Sequence, residues 1–123
     1  MSTEGKTKFL YNVALDVTPE REALFNEVYD HDHIPALMDV PGVVTVRRYR
    51  RRPVKIAMGG AVHAFDFEGE PTYNAVYEIE HPEVLVSDAW AAAVEKGRWA
   101  PEVRPFTRNR RLTLHELISD HRK

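Results

Sequence analysis

The sequence has no cysteine among its 123 residues. That absence excludes thiol nucleophiles, iron–sulfur clusters and thiolate zinc sites together, and it leaves no disulfide framework to point to an oxidising compartment. No apolar run approaches the ~20 residues that a bilayer span needs. No glycine-rich phosphate loop, Gly-x-Ser-x-Gly turn or His-Glu-x-x-His pair occurs, which disfavours nucleotide cofactors and serine-hydrolase chemistry. The first residues, Met1 to Lys8, lack the apolar centre of a secretory signal. A strong charge of one sign is also missing: the net charge is -2. Arg47, Arg48, Arg50, Arg51, Arg52 and Lys55 do cluster, as do Arg104, Arg108, Arg110 and Arg111. Near-neutral overall charge nevertheless argues against a surface that tracks nucleic-acid phosphates, and a strand end rich in arginine commonly faces solvent or acidic partners. The expectation is a cytoplasmic protein with no membrane or nucleic-acid partner and no organic cofactor.

What is present is one domain's length of chain with regular punctuation. Residues 8–17 alternate apolar and polar as a strand does. Thr18-Pro19-Glu20 opens a helix, with Thr as N-cap and Pro at the first helical position, and Leu24, Phe25 and Val28 form its inner stripe. Pro35 disfavours helix at Ile34, so this helix is expected to end near His33, with a short turn over 35–39. After Pro41-Gly42, residues 43–50 read as a second strand. Residues 53–71 form a long connection, with 61–67 either a short strand or an ordered flap. Residues 72–80 make a third strand. A second helix runs from Glu83 to about Lys96, with Gly97 as its C-cap. Residues 98–107 are a packed loop, 110–118 a fourth strand, and 1–6 and 119–123 are polar tails expected to fray. The order βαββαβ gives an α+β, ferredoxin-like sandwich: an antiparallel sheet with two helices on one face. Its other face is left bare and partly apolar, which predicts a homodimer.

The stretch from Tyr29 to Val43 carries two imidazoles, three carboxylates and a phenol at the end of the first helix, then runs through Pro-Gly into a strand. Tyr29, Asp30, His33, Ile34, Pro35, Pro41 and Gly42, with the strand that ends Arg-Arg-Tyr, resemble the dimeric α/β-barrel superfamily, above all its EthD-like branch. That superfamily includes small cofactor-free monooxygenases, polyketide cyclases and muconolactone-type isomerases. The resemblance implies two subunits with their sheets face to face and a pocket in each subunit between helices and sheet. The connection 53–71 is longer than such a fold requires.

Several side chains can carry chemistry in such a pocket. His33 or His31 would act as general base near neutral pH, with Asp30 or Asp32 orienting the ring. The alternative is that these histidines only cap the helix end, where a cation is favoured. Tyr11 or Tyr73 would hold a developing oxyanion. Tyr29, Trp90 and a flap histidine, His63, would complete the substrate wall, although buried tyrosines and tryptophans also serve as plain core. A metal site at His31-x-His33 is set aside, because residues two apart on a helix point apart. Arg104 and Arg108 either pair with a substrate carboxylate or are simply solvated. The strand pattern leaves open which face of the sheet His115 occupies. The function expected is proton transfer on an aromatic, polyketide-like or carbonyl-bearing substrate, of the cyclase, isomerase or cofactor-free monooxygenase type. The competing expectation is a non-catalytic ligand-binding or structural dimer.

Overall fold

The computed structural model describes residues 8–123, so the expected frayed segment 1–6 lies outside them. Strand β1 (Phe9–Val17) is followed by a 3-10 turn at Pro19–Arg21 and helix α1 (Glu22–Val28). A π turn at Tyr29–His33 leads straight into helix α2 (Ile34–Met38), then strand β2 (Val43–Arg50). Strands β3 (Val54–Met58) and β4 (Ala61–Phe65) form a separate hairpin. Strand β5 (Tyr73–Ile79), a 3-10 turn at Pro82–Val86, helix α3 (Asp88–Ala93), further turns over Trp99–Phe106 and strand β6 (Thr107–Glu116) complete the order.

The main sheet has the order β2-β5-β1-β6, with every neighbouring pair antiparallel. This is the ferredoxin-like arrangement expected from the βαββαβ pattern. Alternation decides the faces. In β5, Tyr73, Ala75, Tyr77 and Ile79 are buried while the residues between them are half-buried. In β1, Tyr11, Val13, Leu15 and Val17 face the helices with them, and the core forms there with Phe25, Val28, Tyr29 and Leu37. Each fully buried apolar side chain contributes roughly 1.5–3 kcal/mol. His115 pairs with Leu10 and shares the opposite, helix-free face with Leu10, Asn12, Tyr49 and Val76. No helix among the described residues is long and apolar enough to cross a membrane.

Three boundaries differ from expectation, and a fourth segment is settled. The first helix does not end before Pro35; it runs on to Met38. A proline ring presses on the carbonyl four residues back and lacks an N–H. The π turn opens the helix at that place, with the Ile34 N–H reaching back to the Tyr29 carbonyl, and Pro35 falls in the first turn of α2, where its missing N–H costs no bond. The second helix is shorter than expected, because Ser87 is extended (ψ 155°) and restarts the helix by accepting a hydrogen bond from the Trp90 N–H at 3.1 Å. The last strand begins at Thr107 rather than Arg110. The connection 53–71 is an exposed hairpin turning at Gly59-Gly60, both with positive φ (61° and 81°), as a two-residue hairpin turn requires.

Candidate functional site

Phe25, Tyr29, His33 and Leu37 are all buried. They recur every four residues. An α-helix turns about 100° per residue, so each four-residue step drifts about 40° and three steps would carry Leu37 well away from Phe25. The π turn, whose bonds span five residues, takes up that drift and keeps the four on one face. The same wide turn that admits Pro35 therefore seats His33 inward.

A second element closes on the ring from above. Arg98 grips Asp32 three ways: its backbone N–H donates to Oδ2 at 2.9 Å, Nε donates to Oδ2 at 3.0 Å, and Nη2 donates to Oδ1 at 2.8 Å. Gly97 makes this approach possible. Its φ is +67°, and a Cβ there would lie 2.8 Å from Asp32 Oδ2. The clamp delivers the next residue, Trp99, onto His33, with ring centroids 4.3 Å apart and planes 19° from parallel. Tyr29 meets His33 edge-on at 4.9 Å and Trp99 at 5.1 Å.

These rings border a cavity of about 140 Å³ between helices and sheet. Tyr11 and Tyr77 form its floor from β1 and β5, where they stand directly opposite each other in the ladder. Trp90 packs edge-on against both, at 5.8 and 5.6 Å. The Tyr29 and Tyr77 hydroxyls hydrogen-bond to each other at 2.6 Å in the interior. One phenol must donate to the other, so the acceptor keeps its own proton free for a third group. Burial pushes Tyr29 up to about 12 and Tyr77 up as well, so both remain protonated at neutral pH.

His33 is 5% exposed, and its Nδ1 is buried without a hydrogen-bond partner. Burial, and after it the positive charge of Arg104, pushes His33 down to about 4. The ring is therefore neutral at pH 7. An unpaired buried polar atom costs about 1–3 kcal/mol.

The candidate residues named from the sequence separate into two groups. His33, Tyr11, Tyr29 and Trp90 line the cavity together. His31, Asp30, Asp32, Tyr73 and His63 do not. His31 is exposed on the outer side of the π turn. Asp30 accepts from Arg48 Nη1 at 3.1 Å and is exposed. Asp32 belongs to the Arg98 clamp, which holds its carboxyl at about 2, chiefly by hydrogen bonding. Neither carboxylate orients the His33 ring, because Asp30 is bonded to Arg48 and Asp32 to Arg98. Tyr73 lies at the far end of β5, against Phe25 at 4.9 Å and within 3.4 Å of the Asn26 amide. His63 sits on the exposed hairpin, its Nε2 3.1 Å from the Met58 carbonyl oxygen, so no flap histidine closes over the cavity. Of the basic candidates, Arg104 borders the cavity and Arg108 does not. No cluster of three potential metal ligands forms among the described residues.

Tyr77, Trp99 and Arg110 also border the cavity; the sequence offers Tyr77 as one of three in-strand phenols that either bind substrate or pack as core, and favours core for Trp99. Tyr77 had a signal, since an antiparallel ladder between the first and third strands can place it opposite Tyr11. Trp99 had none, because its position depends on the clamp across 66 residues of chain.

No protein-family model and no curated protein matches the sequence. Solved structures do. A MhuD variant bound to two manganese protoporphyrin IX molecules per active site superposes with a TM-score of 0.62 at 17% identity, over 94% of this chain and 99% of that one. The heme-degrader MhuD from Mycobacterium tuberculosis, with two hemes in its active site, gives 0.58 at 19% identity, over 92% and 98%. An EthD family protein from Bacillus halodurans gives 0.56 at 16% identity, over 89% and 99%. At these identities the likeness is one of fold. The chain has the ferredoxin-like α+β fold of MhuD and the EthD protein over nearly its whole length.

Proposed function

We propose that the chain is a small-molecule enzyme that works by proton transfer at His33. One observation carries this reading: a buried, neutral imidazole stands on the wall of an aromatic cavity that is also bordered by the hydrogen-bonded phenols of Tyr29 and Tyr77. In the reaction, the imidazole accepts a proton from a carbon next to a carbonyl. The electron pair shifts onto the carbonyl oxygen, where a phenol of the Tyr29–Tyr77 pair, or Tyr11, donates a hydrogen bond to it. Return of the proton to a different carbon completes an isomerisation. Attack of the carbanion on a second carbonyl, which takes up the proton, completes a cyclisation. Neither route needs an oxidant. An imidazole held near 4 is a weak base, so the site suits acidic C–H bonds such as those of 1,3-dicarbonyls.

Size narrows the substrate. An apolar cavity of about 150 Å³ holds one benzene molecule, and this one measures about 140 Å³. It accepts a single ring. The porphyrins bound by MhuD join four rings in one macrocycle and do not fit it, so no heme chemistry is carried over.

The test is deuterium exchange. Ring-sized ketones and 1,3-dicarbonyls are incubated with the protein in D2O, and loss of the C–H signal is followed by proton NMR. The wild-type chain accelerates exchange, and His33→Ala reduces the acceleration about a hundredfold or more, the lower end of the range for a general base. Equal rates with wild type and variant overturn the reading. A second reading, a non-catalytic binder, is favoured by the face-on stack of Trp99 on His33, which holds the ring fixed; saturable binding without any exchange would support it. In either case the helix-free face of the sheet, with Leu10, Tyr49 and Val76, is proposed to pair with a second copy of the chain.

A further inference from the structure

The cavity lining is one-sided in charge. It includes two guanidinium groups, Arg104 and Arg110, and no carboxylate. Arg104 is already matched: Nη1 and Nη2 donate to Glu95 Oε1 and Oε2 at 3.1 and 2.7 Å, and Nη2 also donates to the Val94 carbonyl at 2.7 Å. Arg110 is not matched. Its hydrogen bond goes to the neutral Thr107 hydroxyl at 2.9 Å, and among the described residues it has no carboxylate partner.

Arg110 lies on the helix-facing side of the edge strand β6, with Leu112 and Leu114, and borders the cavity. Its charge acts on the Tyr11 phenol, drawing its pKa down against the upward push of burial. A cation beside an apolar, ring-sized void is a two-part recognition element. The void takes the ring, and the planar guanidinium takes a carboxylate through two parallel N–H donors. A positive rim without a compensating acid also disfavours cationic ligands, which gives selectivity as well as affinity.

We infer that the cavity binds single-ring carboxylates, with the ring enclosed among Tyr11, Tyr77, Trp90 and Trp99 and the carboxylate paired to Arg110. The inference rests on the cavity being the ligand site, and it deepens the proposed function by naming the charge of the substrate. It does not require that proton transfer occur.

The test compares benzoate with benzamide, which has nearly the same shape and no charge. Binding to the full chain is followed by titration calorimetry and by Trp fluorescence at pH 7. Benzoate is expected to bind at least tenfold more tightly than benzamide. Arg110→Gln is expected to remove that preference by weakening benzoate far more than benzamide, with the thermal midpoint unchanged, since the side chain is exposed. Arg110→Lys restores part of it, because a point charge replaces a bidentate fork. Equal affinities for the two probes, an undiminished preference in Arg110→Gln, or no binding of either probe each overturns the inference. Benzoate binding that depends on Arg110, found together with absent deuterium exchange, sustains the inference and sinks the enzyme reading. Exchange on neutral ketones with no preference for benzoate does the reverse.

Discussion

At the scale of single residues, the proposed proton transfer rests on His33. The imidazole has an ordinary value near 6.5 when the chain is unfolded and about 4 when folded. The unfolded chain therefore binds more protons between these values, and stability must fall as pH falls. The native contribution is fully present above about pH 6.5 and is lost progressively down to about pH 4, amounting to about 3 kcal/mol over that window. Urea unfolding at a series of pH values checks this. Wild type should lose stability steeply from pH 6.5 to 4, whereas His33→Leu, which keeps a buried side chain and removes the proton site, should give a flatter profile there. Identical profiles would show that the ring is not desolvated. His33 could be found in the sequence because a histidine just before Ile-Pro stands out. Its buried direction could not, because a period of 3.6 extended from Leu24 and Val28 points to His31 and Asp32 instead. Asp30 and Asp32 look like ring-orienting carboxylates in the sequence, but each is engaged by an arginine from a distant segment, Arg48 and Arg98, and no local pattern encodes such pairings.

At the scale of elements, the decisive object is the interrupted helix from Glu22 to Met38. Both helices and the four sheet strands could be read from alternation, capping residues and punctuation, since those depend on neighbours in the chain; Gly97 marks a turn with positive φ, but the helix it is expected to cap ends earlier, at Ala93. The π turn could not, because the same proline that signals an ending is compatible with a widened turn that continues. Four-residue spacing of Phe25, Tyr29, His33 and Leu37 was the available clue, as it suits a turn wider than 3.6 residues. The clamp over this turn yields a prediction at the same scale. Gly97→Ala must place a Cβ against the Asp32 carboxylate and hold a left-handed φ, which costs about 1–2 kcal/mol for the conformation alone. The urea midpoint should fall accordingly, and the Trp emission should shift to longer wavelength as Trp99 loosens from His33. Arg98→Ala should reproduce the emission shift without the backbone strain. If Gly97→Ala leaves both midpoint and emission unchanged, the clamp does not position Trp99.

At the scale of the whole molecule, the sheet has one face covered by helices and one face open. On the open face Leu10 and Tyr49 are 39% and 54% exposed, and Val76 and His115 lie between them in adjoining strands. An apolar patch that spans neighbouring strands and is rimmed by Arg47 and Glu78 has the composition of an interface, and a second copy presents the same patch in reverse. In the proposed dimer the two rim charges would help fix the pairing. Arg47 donates to Glu78 at 3.0 Å within one chain, and a two-fold arrangement would bring a second such pair alongside. Light scattering at micromolar concentration should then give twice the chain mass of 14.2 kDa. Leu10→Lys combined with Val76→Lys adds like charges that face each other across a two-fold interface, and it should return the mass to that of one chain. Because the cavity lies on the other side of the sheet, benzoate affinity should survive in the monomeric variant if each subunit builds its site alone. A wild-type mass of one chain would remove the dimer, while a monomeric variant that no longer binds benzoate would show that pairing of the sheets holds β1 and β5, and with them Tyr11 and Tyr77, in register beneath the ring.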